Sequence, residues 1–123
     1  MDDIDRLLER LAGQPFRARF HLRGPDLDTA RRHGPFVLRQ HALELITQRV
    51  APAAPRKDGK QTPYRGHPVF VAQHATATCC RTCLERWHGI PKGRALNDRE
   101  LAYVVDVIGR WIGREVAEQA QPG

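Results

Sequence analysis

The feature that most constrains this 123-residue chain is a cluster of cysteines and histidines in residues 74–88, which read HATATCCRTCLERWH. All three cysteines of the chain lie within five consecutive positions, so they cannot form a disulfide framework for a whole domain. Cysteine thiolates and imidazoles are ligands that zinc prefers, often supplied as a Cys-x-x-Cys pair with two further ligands nearby. The cluster therefore predicts a metal site, most simply one for zinc.

Helical spacing selects the predicted ligands of this site. In a helix that starts near the cysteines, Cys80 and Cys83 share a face, and His88 reaches the same side. His74 precedes the turn and can bend back over the start of the helix. The predicted ligand set is therefore His74, Cys80, Cys83 and His88. Cys79 is the alternative thiol: it can replace Cys80, or it can replace His74 to give a Cys3His site, a set that an iron–sulfur cluster can also use.

The motifs of catalytic zinc sites are missing from this region. Zinc deaminases carry a His-x-Glu element well ahead of a Pro-Cys-x-x-Cys helix start, whereas here Ala75-Thr76 follows His74. The metalloprotease motif His-Glu-x-x-His is also absent. A closed, structural zinc site is therefore favoured. Two alternatives stay open, namely a small metal-dependent hydrolase or nuclease-like enzyme that uses residues 60–88, and a redox switch built on Cys80 and Cys83.

Apolar periodicity predicts a mainly helical chain. The first helix is capped by Asp2 or Asp3 and ends at Gly13, and the last is capped by Asn97 with Glu100 in the reciprocal position. Four helices are expected in total, over about residues 3–12, 35–50, 79–88 and from 98 onward, with Gly89 as the left-handed stop of the third.

Two further segments predict strands. Residues 16–22 alternate apolar and basic side chains, which is typical of a half-buried strand. Residues 68–72, Pro-Val-Phe-Val-Ala, read as a short buried strand that delivers the chain to His74. Paired in a small two-stranded sheet, they predict an α+β fold with a metal-pinned strand, turn and helix.

The chain is strongly basic in one region. Between Arg17 and Arg65 it has eleven basic and four acidic residues, a net +7, so the rest of the chain carries −1 of the total of +6. Such an excess attracts polyanions, which predicts contact with nucleic acid or another acidic partner. Part of it lies in residues 51–66, a basic loop without apolar periodicity.

The length of the chain fits one domain over residues 1–123. No run of residues is apolar enough for a membrane span, and the acidic, amphipathic start is unlike a signal peptide. These features, with three thiols that suit a reducing compartment, predict a cytoplasmic protein without membrane contact.

One long block carries a family resemblance. With x for variable positions, it reads GKQTPxRGHPVFxAQHATATCCRxCLxxWH from Gly59 to His88. In this block, and over nearly the whole chain, the sequence resembles a small bacterial and phage family of unknown function. The resemblance implies no activity, but it draws the basic loop into the region of interest, with Lys60, Gln61, Arg65 and His67 as candidate functional residues.

Overall fold

The computed structural model describes residues 2–119, and within that range the chain forms helices and no strand. Six helices follow one another along this range: α1 (Asp3–Ala12), α2 (Pro15–Ala18), α3 (Gly24–Arg49), α4 (Pro68–Ala75), α5 (Arg81–His88) and α6 (Asp98–Gln119). The fold is therefore all-helical over the described residues, and the predicted α+β class with its two-stranded sheet is wrong.

The first predicted strand, residues 16–22, is a short helix followed by extended chain. Pro15 occupies the first turn of α2, where a missing amide proton costs nothing, and the side chain of Gln14 accepts a hydrogen bond from the Arg17 amide. The alternation was misleading because Arg17, expected on the outer face, turns inward and is only 8% exposed.

The second predicted strand, residues 68–72, lies inside α4. His67 caps this helix by accepting a hydrogen bond from the amide of Val69, and Pro68 fills its first position. Almost every side chain of α4 is buried, so no polar face reveals a helical period. A short apolar run of this kind is ambiguous between a buried strand and a buried helix.

The predicted start of α1, end of α5 and start of α6 are confirmed, whereas α5 starts at Arg81, two residues later than predicted, with Cys80 as its cap. Asp2 caps α1, and its carboxylate accepts from the amide of Asp5. Gly89 ends α5 in the left-handed region, with φ 68°. At the start of α6 the Glu100 amide donates to Asn97 Oδ1 at 2.8 Å, and the Asn97 amide donates to Glu100 Oε1 at 3.0 Å.

Helix α3 starts earlier than predicted and bends at the predicted start. Its first residue is Gly24, and Gly34 interrupts the helical backbone with φ 78° and ψ 169°. That combination is accessible almost only to glycine, and Pro35 then restarts the helix. The glycine thus joins two helical segments of different direction.

The main core lies where α3 packs along α6 and α4 packs against both. A smaller apolar cluster joins Leu7 and Leu11 of α1 to Ala77, with Cys83 and Trp87 of α5 packed against it. The segment between α4 and α5 therefore lies between the main core and α1. No helix among the described residues has the length and apolar character needed to cross a membrane.

Replacing Gly34 by alanine tests the bend in α3. A Cβ at this position meets no atom within 4 Å, so the cost is confined to backbone strain. We expect Gly34→Ala to lower the free energy of unfolding by about 1–3 kcal/mol, measured by urea denaturation.

Gly113→Ala is the matched control, because its Cβ also meets nothing within 4 Å but Gly113 lies inside α6 with no left-handed backbone. It should raise the free energy of unfolding by up to about 1 kcal/mol through helix propensity. Equal effects of the two substitutions would contradict the strained bend.

Candidate metal centre

The three cysteines lie together in the buried turn between α4 and α5. Residues 76–80 are all buried, and Ala77 takes a left-handed conformation, with φ 58°, that reverses the chain. Cys80 caps α5, with its Sγ accepting from the Cys83 amide at 3.4 Å. The sulfur atoms of Cys79, Cys80 and Cys83 all lie within 4.8 Å of one another. Three cysteines in this arrangement can hold a metal ion.

The sulfur positions fit a thiolate-binding metal. Zinc binds thiolate at about 2.3 Å in a tetrahedron, which sets neighbouring sulfurs roughly 3.8 Å apart. The observed grouping within 4.8 Å needs only small side-chain shifts to reach that spacing. Both candidates for the second thiol, Cys79 and Cys80, belong to the group, so the geometry does not require a choice between them.

Arg17 is the cation beside these sulfurs. Its Nη2 donates to Cys83 Sγ at 3.1 Å, and its Nη1 donates to Cys79 Sγ at 3.7 Å and to the carbonyl of His74 at 2.7 Å. Burial disfavours the charged guanidinium, but the two sulfur contacts outweigh it and raise the pKa of Arg17. A buried positive charge therefore stabilises negative charge on the cysteines.

The pKa values of Cys79 and Cys83 are shifted in opposite directions. Hydrogen bonds from the thiols of Cys79 and Cys80, and then from Arg17, hold the pKa of Cys83 well below its ordinary value. The same sulfur contacts, together with burial, raise the pKa of Cys79. Cys83 is thus the preferred position for the first thiolate, which is the form that binds metals and reacts with oxidants.

His74 turns its ring away from the sulfurs and toward the basic loop. Its Nε2 lies 3.0 Å from the carbonyl oxygen of Thr62 and 3.1 Å from that of Pro63, so this nitrogen carries the proton and donates. The ring also stacks on Tyr64, with centroids 4.5 Å apart, and on Phe20 at 5.3 Å. In the described structure this histidine connects the loop to α4.

His88 is close to the turn, but both ring nitrogens have protein partners. Nε2 donates to the carbonyl of Thr76 at 2.8 Å, which leaves Nδ1 to accept from the hydroxyl of Tyr103 at 2.8 Å. Burial lowers the pKa of His88 and favours the neutral ring. The structure thus groups the three predicted cysteines but not the two predicted histidines, whose ligation stays a prediction.

The basic loop closes over the cysteine turn. The hydroxyl of Thr62 donates to the Cys79 carbonyl at 2.8 Å, and it accepts from the side chain of Gln73 in α4, which also donates to the Thr78 carbonyl at 3.2 Å. The carboxylate of Asp58 accepts from the Arg81 amide at 3.1 Å. The loop therefore supplies hydrogen-bond partners for a turn that water does not reach.

Arg81 makes hydrogen bonds to the segments before and after the cysteine turn. Its side chain is almost fully buried, and the guanidinium donates to the carbonyls of Pro52 at 2.9 Å and Pro91 at 2.8 Å. This residue joins the start of the loop to the segment after α5. It holds the cysteine turn in place without touching a sulfur.

The four candidate loop residues have different positions. Lys60 is exposed, and the Gln61 side chain folds back on the loop, donating to Asp58 and accepting from the Gly59 amide. Arg65 is exposed at the rim of a surface pocket. His67 caps α4 and contacts His41 Nδ1 through Nε2 at 3.0 Å.

Sequence reasoning missed Arg17, Arg81 and Thr62 as parts of this centre. Nothing local marks Arg17, since its partners lie 57 to 66 positions away. A weak signal existed for the other two: Arg81 lies between Cys80 and Cys83, and Thr62 falls within the block that carries the family resemblance.

Comparison with known proteins places the chain in a family without an assigned activity. The family described as Domain of unknown function (DUF4186) matches residues 5–113, and the chain belongs to it. No solved structure matches the chain.

Thr62→Val tests whether the loop supports the cysteine turn. The substitution keeps the shape but removes the hydroxyl that donates to the Cys79 carbonyl, leaving a buried acceptor unpaired. We expect the free energy of unfolding to fall by about 1–3 kcal/mol, measured by urea denaturation.

Thr82→Val is the matched control, because the hydroxyl of Thr82 is on the surface and contacts only Lys92 Nζ. Its effect should stay within about 0.5 kcal/mol. A loss as large as that of Thr62→Val would show that the Thr62 contact has no special role.

Proposed function

We propose that this is a small zinc-binding protein whose metal is mainly structural. The single observation that supports the proposal is the group of three cysteine sulfurs within 4.8 Å of one another in a buried turn. The proposed ligands are Cys79, Cys80 and Cys83, with His88 as the fourth. Three reduced thiols of this kind also suit the proposed cytoplasmic location.

His88 is the better fourth ligand of the two histidines. If its Nε2 turns to a metal, His88 gives up only one carbonyl contact, the one with Thr76. The hydroxyl of Tyr103 then orients the ring through Nδ1. His74 by contrast has a ring that stacks on Tyr64 and donates to two loop carbonyls.

A structural role follows from what the turn connects. The sulfurs lie between α1, which packs on Ala77 and Cys83, and the loop, which bonds to the Cys79 carbonyl. All four proposed ligands lie in residues 79–88, so a metal ion there would fix the turn to α5, and α1 and the loop pack against that fixed turn. The free energy of metal binding would then add to folding stability, as it does in other small metal-binding domains.

The charge of Arg17 fits this centre. Three thiolates and one neutral imidazole around Zn²⁺ carry a net charge of −1, which is costly to bury. The guanidinium of Arg17 lies against two of the three sulfurs and neutralises that charge. It also donates hydrogen bonds that keep thiolates oriented.

Metal analysis of the purified protein tests the proposal. We expect one zinc per chain by elemental analysis, and a chelator should lower the melting temperature. Cys79→Ser, Cys80→Ser and Cys83→Ser should each weaken zinc binding by more than tenfold, because each removes one ligand. Full zinc occupancy in all three variants would refute the site.

His88→Gln and His74→Gln form a matched pair for the fourth position. His88→Gln should weaken zinc binding, whereas His74→Gln should lower stability with little change in affinity. If neither changes the affinity, the fourth position is open to water, and the small metal-dependent enzyme becomes the better description. Hydrolysis of model phosphodiesters would then be the assay.

Arg17→Gln tests the neutralising cation. We expect about a tenfold loss of zinc affinity, the lower end of the range for partners outside the ligand shell, measured by competition with a metal indicator. Arg19→Gln, two residues on and exposed, is the control and should leave the affinity unchanged. Equal losses of zinc affinity in the two variants would mean that the overall positive charge of the protein, and not the contact of Arg17 with the sulfurs, sets the affinity.

The redox alternative has one observation in its favour, which is the thiolate on Cys83 beside two other thiols. It requires metal-free protein that forms a reversible disulfide among these residues. Mass spectrometry after mild oxidation of the protein as purified, without added metal, separates the two functions, because bound zinc protects the thiols whereas a metal-free redox switch is oxidised to a disulfide.

A further inference from the structure

A surface pocket of about 630 Å³ lies between the α2–α3 connection and the end of the basic loop. Its lining includes Arg19, Phe20 and Arg23 from the connection and Tyr64 and Arg65 from the loop. This volume is within the range of roughly 300–1,000 Å³ found for small-ligand sites. The pocket is separate from the three sulfurs, none of which lines it.

The positive charge of the pocket is not neutralised by the protein. Arg19, Arg23 and Arg65 are exposed, and none of them pairs with a carboxylate of residues 2–119. Some other arginines do pair with a carboxylate, as Arg39 does with Asp106 at 2.9 Å. Arg19 also lies over the ring of Phe16, 5.7 Å from its centroid, which leaves its charge without a carboxylate. Three guanidinium groups without carboxylate partners around one pocket suit phosphate groups, which they bind as planar forks.

One carboxylate also lines the pocket. Asp26 accepts from the Gly66 amide at 3.2 Å and so ties the loop to the start of α3. The three guanidinium groups and this one carboxylate together carry a net charge of +2. The pocket therefore still attracts anions, and Asp26 serves to fix the two walls relative to each other.

An exposed aromatic ring completes the pocket. Tyr64 is 63% exposed, yet its ring is held in place by packing on His74 at 4.5 Å and on Phe20 at 6.1 Å, with interplanar angles of 23° and 6°. Exposed aromatic rings next to arginines are the usual platform for unpaired bases. Inorganic phosphate alone would leave this ring unexplained.

We propose that this pocket binds a single-stranded nucleic acid, with one base stacked on Tyr64 and the neighbouring phosphates held by Arg19, Arg23 and Arg65. A base inside a duplex is already stacked and cannot reach the ring. The net +7 of the segment from Arg17 to Arg65, against −1 for the rest of the chain, favours a polymer over a single nucleotide. The site goes beyond the proposed zinc centre and does not need the metal as a contact.

Fluorescence anisotropy with labelled oligothymidylate and oligouridylate of about 12 nucleotides tests the site on the full-length, metal-loaded protein. Three phosphate contacts predict that the logarithm of Kd rises with the logarithm of salt concentration with a slope of about 2 between roughly 50 and 200 mM. Tyr64→Ala should weaken binding about tenfold, and Tyr64→Phe should retain it.

The charge contacts have their own variant and control. The triple variant Arg19→Gln, Arg23→Gln, Arg65→Gln should weaken binding more than tenfold and bring the salt slope close to zero. Arg86→Gln with Arg99→Gln is the control: these arginines are exposed, unpaired with carboxylates of the described residues, and outside the pocket. Circular dichroism and zinc content establish that each variant is folded.

Three results would overturn the proposal. One is no binding, or binding that the control lowers as much as the triple variant. Another is equal affinity for a duplex of the same length, which would exclude stacking of an unpaired base. The third is a mononucleotide that competes as tightly as the oligonucleotide, which would make the pocket a small-molecule site.

Discussion

The turn from Thr76 to Cys80 is buried along its whole length, so each of its polar groups needs a partner inside the protein. That requirement explains most of the surrounding structure. The Cys79 carbonyl is satisfied by Thr62, the Thr76 carbonyl by His88, and two of the sulfurs by Arg17. Loop, α5 and α2 therefore meet at one turn because that turn cannot be left in an apolar environment unpaired.

This requirement separates what the sequence could predict from what it could not. The caps at Asp2, Asn97 and Gly89 were predictable because a cap depends on residues within one helical turn. The helices in the two segments predicted as strands were not predictable in this way. The nearly all-buried α4 lacks a polar face, and residues 16–22 alternate apolar and basic side chains although Arg17 is buried. For the site, the sequence identified the cysteines, because residues within five positions of one another are also close in space. It did not identify Arg17, whose partners are distant in sequence.

Two groups of arginines near the cysteine turn have different physical roles. Arg17 and Arg81 are buried, and their donors are used on sulfurs and carbonyls that no carboxylate accompanies. Arg19, Arg23 and Arg65 are exposed and without carboxylate partners among residues 2–119. Net charge alone cannot distinguish these groups, which is why basic composition indicated a polyanion partner without indicating a surface.

Helix α2 brings one member of each group close together, because Arg17 lies in it and Arg19 directly follows it. Arg17 and Arg19 are two positions apart, about 200° around a helix, so one is directed to the sulfurs while the other is directed to the pocket. His74 makes a second connection, because its carbonyl accepts from Arg17 while its ring supports Tyr64. A change in the position of Arg17 on metal binding would therefore reach the pocket by two routes, along the chain to Arg19 and through the hydrogen bond to His74, whose ring stacks on Tyr64. The centre that stabilises the fold and the surface proposed to bind a nucleic acid strand are parts of one packed unit.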